Sequence, residues 1–133
     1  AAAEVFMAEQ QNRSLREQVV DFALSFVGGR YQYGGSDPHT GVDCSGFTRY
    51  VMQHGAGVSL DRSSSSQATQ GQAISAEQMQ PGDLIFYGNG GRINHVAMYI
   101  GDGQIVHAST EKTGIKTSVW NYRNPVKIIN VLG

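Results

Sequence analysis

Apolar positions recur at a helical period over residues 14–26, with Leu15, Val19, Phe22 and Phe26 on one face. Ser14 and Glu17 have the spacing of a capping box, in which each side chain bonds a free backbone N–H of the first turn, so the helix is predicted to start at Ser14. Gly28-Gly29 should end it. Residues 29–43 read Gly-Arg-Tyr-Gln-Tyr-Gly-Gly-Ser-Asp-Pro-His-Thr-Gly-Val-Asp and predict a glycine-rich loop. Helical spacing returns with Phe47, Tyr50, Val51 and His54, giving a second helix from about Cys44 to Gly55 or Gly57. The polar run Asp61-Arg62-Ser63-Ser64-Ser65-Ser66-Gln67 predicts the capped start of a short third helix rather than a linker.

From Pro81 onward the helical period disappears. Apolar runs separated by Gly and Asp predict strands over 84–87, 95–100, 104–109, 115–120 and 126–132. Helices first and strands afterwards indicate an α+β domain with an antiparallel sheet of about five to six strands. Residues 1–13 show no core pattern and are expected to be a linker or N-terminal extension, leaving 14–133 as one domain.

Composition narrows the possibilities. The 133 residues are 40% hydrophobic and 16% charged, values typical of a globular domain large enough to bury a core unaided. A formal net charge of −1 with no dense Lys/Arg run argues against nucleic acid as a partner. No stretch is apolar enough to insert into a membrane, and residues 1–10 lack the basic start and apolar run of a signal peptide. A single cysteine excludes an internal disulfide and any zinc site built from several thiolates.

That cysteine lies in Asp43-Cys44-Ser45-Gly46-Phe47, where a loop enters a helix. Unpaired N–H groups and the helix dipole at such a position favour thiolate and should lower the thiol pKa. The Cys44 N–H would also point at an oxyanion forming on an attacked carbonyl. A core role is the alternative, because free cysteine is among the most buried residue types. A thiolate nucleophile needs a base. Of four histidines, His39 beside Pro38 and His54 near a helix end read as surface or packing residues, whereas His95 and His107 fall on consecutive predicted strands. His107 could then bond the far nitrogen of His95 and fix its tautomer.

This pairing sets a condition on the hairpin, because side chains alternate faces along a strand. A simple two-residue turn at Asp102-Gly103 would pair Met98 with His107 and put the histidines on opposite faces. A three-residue loop, Gly101 to Gly103 with Gly103 in the left-handed region, or an equivalent bulge, pairs Ala97 with His107 and puts both imidazoles on one face. The longer loop or its equivalent is therefore predicted.

The order Asp-Cys-Ser-Gly-Phe, Pro-Gly-Asp-Leu, His-Val-Ala-Met-Tyr-Ile-Gly and Val-His-Ala, with Tyr31-Gln32-Tyr33-Gly34-Gly35 and residues 62–67 as further landmarks, resembles the NlpC-type bacterial cell-wall cysteine peptidases over roughly residues 15–131. The resemblance implies a papain-like fold and hydrolysis of peptidoglycan stem peptides or muropeptides, commonly between D-γ-glutamyl and a diamino acid. It implies Cys44 as nucleophile, His95 as base and His107 as orienting residue. Tyr31 would assist the oxyanion hole or contact substrate, and Asp43 and Ser45 would hold the substrate's amino end. Helix capping is the plainer reading of Asp43. Arg62 would pair either with a substrate carboxylate or with a protein carboxylate that anchors its loop. Tyr33 stands where the family often has tryptophan and is expected to be structural, and Trp120 to be core or groove wall. A secreted or cell-wall-associated monomer needing no metal or other cofactor is expected.

Three other readings compete. A zinc hydrolase could use Cys44, His95 and His107 as ligands, although no Glu is obviously placed as its base. A muropeptide-binding module without activity would more often have lost one of the three residues. The same fold could also serve a different amidase, a transpeptidase or a toxin.

Overall fold

The structure is a computed structural model and describes residues 15–133, together with Ala3. Ser14, and with it the predicted capping box, lies outside the described residues, as does the segment expected to be a linker. Helix α1 occupies residues 15–24. It stops before Phe26 because the next turn tightens: Ser25, Phe26 and Val27 donate N–H bonds to the carbonyls three residues back. Phe26 nevertheless packs edge-on against Phe22, with centroids 5.1 Å apart.

The glycine-rich loop contains a small antiparallel hairpin, β1 (Ser36–Asp37) with β2 (Gly41–Val42), and Tyr31 bridges to Val42. Helix α2 (Cys44–Ala56) follows at once, with Gly57 in the left-handed conformation as its C-cap. Helix α3 (Ser64–Gln67) is capped by the Ser63 side chain, which accepts the Ser66 N–H, so the serine run is a helix start as predicted.

The remainder is a six-stranded antiparallel sheet formed by β3 (Gln72–Ala73), β4 (Leu84–Asn89), β5 (Arg92–Gly101), β6 (Gln104–Thr110), β7 (Gly114–Val119) and β8 (Pro125–Asn130), in the order β3-β8-β4-β5-β6-β7. The five predicted strands are present, and β3, a two-residue edge strand paired with β8, is additional. This is the expected α+β class.

Alternation divides the sheet into two apolar faces. Leu84, Phe86, Val96, Met98, Val106 and Ala108 meet Val19, Ala23, Phe47, Val51 and Met52 of the helices. Ile85, Tyr87, Ala97 and Ile105 form a second cluster on the other face, with Trp120 packed against it. One buried polar contact ties the first helix to the sheet. Arg16 bonds Asp83 at 2.9 Å and Asn130 at 2.8 Å. Asp83 also accepts the Gln80 N–H at 2.7 Å, closing the turn that the Pro-Gly-Asp motif makes before β4.

The β5–β6 hairpin satisfies the condition set by the sequence through a bulge. The turn has two residues, Asp102 (φ 54°) and Gly103 (φ 73°), and joins Gly101 to Gln104. Both dihedrals are positive, the signature of a primed turn matched to strand twist. The register then slips between Gly101 and Tyr99, so Tyr99 pairs with Ile105 and Met98 with Val106. Ile100 is the extra residue, a β-bulge. Continuing that register places Ala97 opposite His107. Of the two predicted devices the equivalent bulge is the one present, at Ile100 just before a two-residue turn, and it gives the predicted parity.

Candidate active site

The site is assembled where the β5–β6 ladder ends. The last β5–β6 pair is Met98 with Val106, one residue short of His107. Helix α2 approaches β5 there, and the Cys44 thiol accepts the backbone N–H of Val96, the residue after His95. A second irregularity, between Tyr87 and Gly88 in the β4–β5 pairing, leaves Asn94 as an extra residue immediately before His95. Strand β5 therefore carries a bulge on each side of the histidine and its neighbours.

His95 and His107 share the sheet face away from the helices and meet directly, with His95 Nε2 2.7 Å from His107 Nδ1. The chain of contacts continues: His107 Nε2 lies 2.9 Å from Ser118 Oγ. Ser118 is the diagonal neighbour of His107 across β6–β7, where His107 itself faces Lys116. Tyr87 and Tyr122 enclose the pair, the Tyr87 centroid lying 5.9 Å from His95 and the Tyr122 centroid 5.3 Å from His107.

Burial dominates the electrostatics. It pushes His95 down to about 3, helped by His107 and then by the Arg123 charge. It pushes His107 down to about 4, with Lys116 contributing in the same direction. Both rings are therefore neutral at pH 7. Burial also raises the Cys44 thiol above its ordinary value. The N–H of Val96 opposes this, the Asp43 carboxylate reinforces it, and the N–H groups of Ser45 and Cys44 lower it again. The sequence-based expectation of a lowered thiol is corrected: desolvation outweighs the helix terminus, and the resting cysteine is a thiol.

The loop N-terminal to α2 is held by Asp43. One of its carboxylate oxygens accepts the Gly46 N–H at 2.8 Å as N-cap, and the other accepts the Gly34 N–H at 3.1 Å. Arg62 completes this corner by donating to Asp43 at 2.9 Å, Ser45 Oγ at 2.9 Å and the Gly35 carbonyl at 3.0 Å. Of the two partners considered for Arg62, the structure supplies the protein carboxylate. Gly46 is compulsory here, because a Cβ at that position would lie 2.3 Å from the Gly35 carbonyl oxygen. The Cys-Ser-Gly sequence thus lets the loop backbone press against the first turn of α2.

These groups border an open cleft of about 410 Å³, with Tyr31, Tyr33, Cys44, Ser45, Arg62 and Asn94 on its walls. The Tyr31 hydroxyl stays protonated, because burial and then Cys44 and Asp43 raise its pKa. Tyr33 is 86% exposed and belongs to the cleft rim, not to the packed interior expected of a structural residue. Trp120 is half-buried against the second apolar cluster, as expected of a core or wall residue. His39 pairs with Asp37 at 2.8 Å and His54 lies against Tyr50, so both are packing residues outside the site. Among the described residues no three His, Cys, Asp or Glu side chains converge as a metal-ligand set.

Sequence reasoning missed Ser118, Asn94, Tyr122 and Arg123. Ser118 had a signal: strand alternation places it two residues after Lys116, on the face that His107 occupies. The others depend on the Asn94 bulge and the 120–124 turn, for which no periodic signal exists.

Residues 28–128 match the model of the NlpC/P60 family. The chain is 41% identical over 98 residues to a probable endopeptidase p60 of Listeria monocytogenes, covering 74% of this chain and 19% of that protein. It is 39% identical over 115 residues to a gamma-DL-glutamyl hydrolase of Bacillus subtilis, covering 79% and 27% respectively. The chain therefore spans about a fifth to a quarter of the length of these relatives. The crystal structure of the NlpC/p60 domain of the peptidoglycan hydrolase SagA superposes with a TM-score of 0.79 at 35% identity, covering 86% of this chain and 97% of that one. The matched span, the six-stranded sheet and the cysteine–histidine arrangement lead to one conclusion: the chain belongs to the NlpC/P60 family.

Proposed function

We propose that this chain is a peptidoglycan endopeptidase that cleaves stem peptides, at the bond between D-γ-glutamyl and a diamino acid, through a Cys44 thioester. The observation that carries the reading is the buried imidazole pair, His95 Nε2 to His107 Nδ1 at 2.7 Å, on the strand whose next N–H meets the Cys44 thiol. The similarity to a gamma-DL-glutamyl hydrolase supports the bond assignment.

The hydrogen-bond chain dictates the proton positions. Nδ1 is the ring nitrogen that His95 has left to receive the thiol proton. Nε2 of His95 must then carry hydrogen and donate to His107 Nδ1, and His107 Nε2–H must donate to Ser118 Oγ. A thiol and a neutral imidazole are the reactive ground state. As sulfur attacks the scissile carbonyl, its proton passes to His95. The Cys44 N–H and the protonated Tyr31 hydroxyl serve as oxyanion donors. His95 then gives its proton to the departing amine, leaving a thioester. Water, deprotonated by His95, attacks the thioester and releases the acid and the thiol. No step calls for a metal. Asp43 and Ser45, held by Arg62, offer acceptors for the ammonium group at the substrate's amino end.

Residues 14–133 form the catalytic unit in this reading and 1–13 a linker. The enzyme works as a monomer outside the cytoplasm, where its substrate lies. Digestion of defined muropeptides by the wild type and by Cys44→Ala, with products identified by mass, tests the proposal. Cleavage is expected between D-γ-glutamyl and the diamino acid, and only with the wild type. Absence of any stem-peptide cleavage by the wild type would overturn the substrate, and unchanged cleavage by the variant would overturn the mechanism.

A further inference from the structure

The imidazole pair has one thin side. His107 is fully buried, yet its ring packs directly against Tyr122, with centroids 5.3 Å apart, and Tyr122 is 44% exposed. The same ring stands edge-on to Tyr87, also at 5.3 Å, and Tyr87 in turn lies against His95. Tyr87 is itself fully buried and is tied through its hydroxyl to the Trp120 carbonyl. One aromatic ring therefore covers both His107 and the tyrosine that backs His95, and its outer part meets solvent. That ring is carried by the 120–124 turn between β7 and β8, outside the sheet.

The proposed chemistry needs this side to stay dry. His95 can take the thiol proton only as a free base, and His107 can orient it only as a neutral acceptor. The groups facing the pair are Cys44 from α2, Tyr87 from β4, Lys116 and Ser118 from β7, and Tyr122 and Arg123 from the turn. Among the described residues no carboxylate acts on either ring, and the cations Arg123 and Lys116 act less strongly than burial. Desolvation is thus the main agent, and at Tyr122 it is one ring deep. We propose that Tyr122 is a positioning residue that acts through His107: its ring is the seal that keeps bulk water off the imidazole pair and so reserves His95 as a free base. The seal is the apolar body of the ring, while the hydroxyl only bonds Arg123.

The kinetic consequence rests on the proposed peptidase reading, whereas the titration of the rings does not. The imidazole resonances of His95 and His107 are followed by NMR against pH in the wild type, Tyr122→Ala, Tyr122→Leu and Tyr122→Phe. The pH profile of kcat/KM on a defined muropeptide is recorded for each. In the wild type neither ring should titrate above about pH 5. Tyr122→Ala should raise the titration of His107 by about one to two pH units and carry the acid limb of kcat/KM up with it. Tyr122→Leu, a smaller apolar cover, should give an intermediate shift, and it decides the matter if Tyr122→Ala does not fold. Tyr122→Phe keeps the ring and should return both readouts to the wild-type position. Unmoved titrations in the Ala and Leu variants would overturn the inference. An equal shift in Tyr122→Phe would also overturn it, by assigning the effect to the Arg123 bond. Shifted titrations with no stem-peptide cleavage by any of the four proteins would overturn the peptidase reading and leave the seal standing.

Discussion

At the scale of single residues, the site is a line of proton-bearing atoms and not three isolated side chains. Ser118 is its outer end. Removing its hydroxyl leaves a buried His107 N–H without a partner and frees His107 to adopt the other tautomer, which would present a donor to His95 instead of an acceptor. Ser118→Ala should therefore lower kcat by about tenfold with little change in KM, and Ser118→Thr should recover most of the loss; steady-state kinetics on a defined muropeptide decide this. Cys44, His95 and His107 were legible in the sequence because reactive residue types stood at a helix start and on neighbouring strands. The thiol's electrostatics were not. The sequence reveals the helix terminus that lowers the pKa, but the burial that raises it is a property of the packed cleft.

At the scale of elements, strand β5 decides whether the histidines meet. Its faces are set by the extra residue Ile100, and parity arguments from the sequence required some such insertion without being able to say where it fell. A turn type depends on two dihedral pairs, whereas parity depends only on counting. The same contrast explains β3, whose two residues are too few to display a period and are fixed by pairing with β8. Helix α2 depends on a close backbone approach, with the Gly35 carbonyl set against Gly46. Gly46→Ala should force the loop off the helix start, destabilising the fold by about 2 kcal/mol and displacing Cys44. Urea denaturation would register the first effect, and the rate of thiol alkylation the second.

At the scale of the whole molecule, two neutral imidazoles in the interior make the fold sensitive to acid. Both pKa values are depressed in the folded chain, from 6.5 to about 3 for His95 and to about 4 for His107. Below pH 6.5 the unfolded chain takes up protons that the folded chain refuses. Stability is thus full above that pH and falls as pH drops toward the folded values, by about 1.4 kcal/mol per pH unit for each histidine. Denaturant titrations between pH 7 and pH 4 should show this decline, and His107→Asn should roughly halve its slope. The overall class and order of elements were legible because helix and strand periods segregate along the chain. The Arg16–Asp83 contact was not, since no local pattern announces a pairing between residues 67 positions apart.

Trp120 is the only tryptophan in the chain, and its surroundings give it an optical use. Its backbone N–H donates to the Gly103 carbonyl in the β5–β6 turn, and its backbone carbonyl accepts the Tyr87 hydroxyl beside His95. Three residues further on, the same segment carries Arg123. The indole itself lies beside Gly103 of the turn and packs against the apolar cluster that contains Tyr87. Its emission is a built-in, label-free reporter of changes in that turn and in the apolar cluster beneath the histidine pair, readable in a stopped-flow mixing experiment without altering a residue.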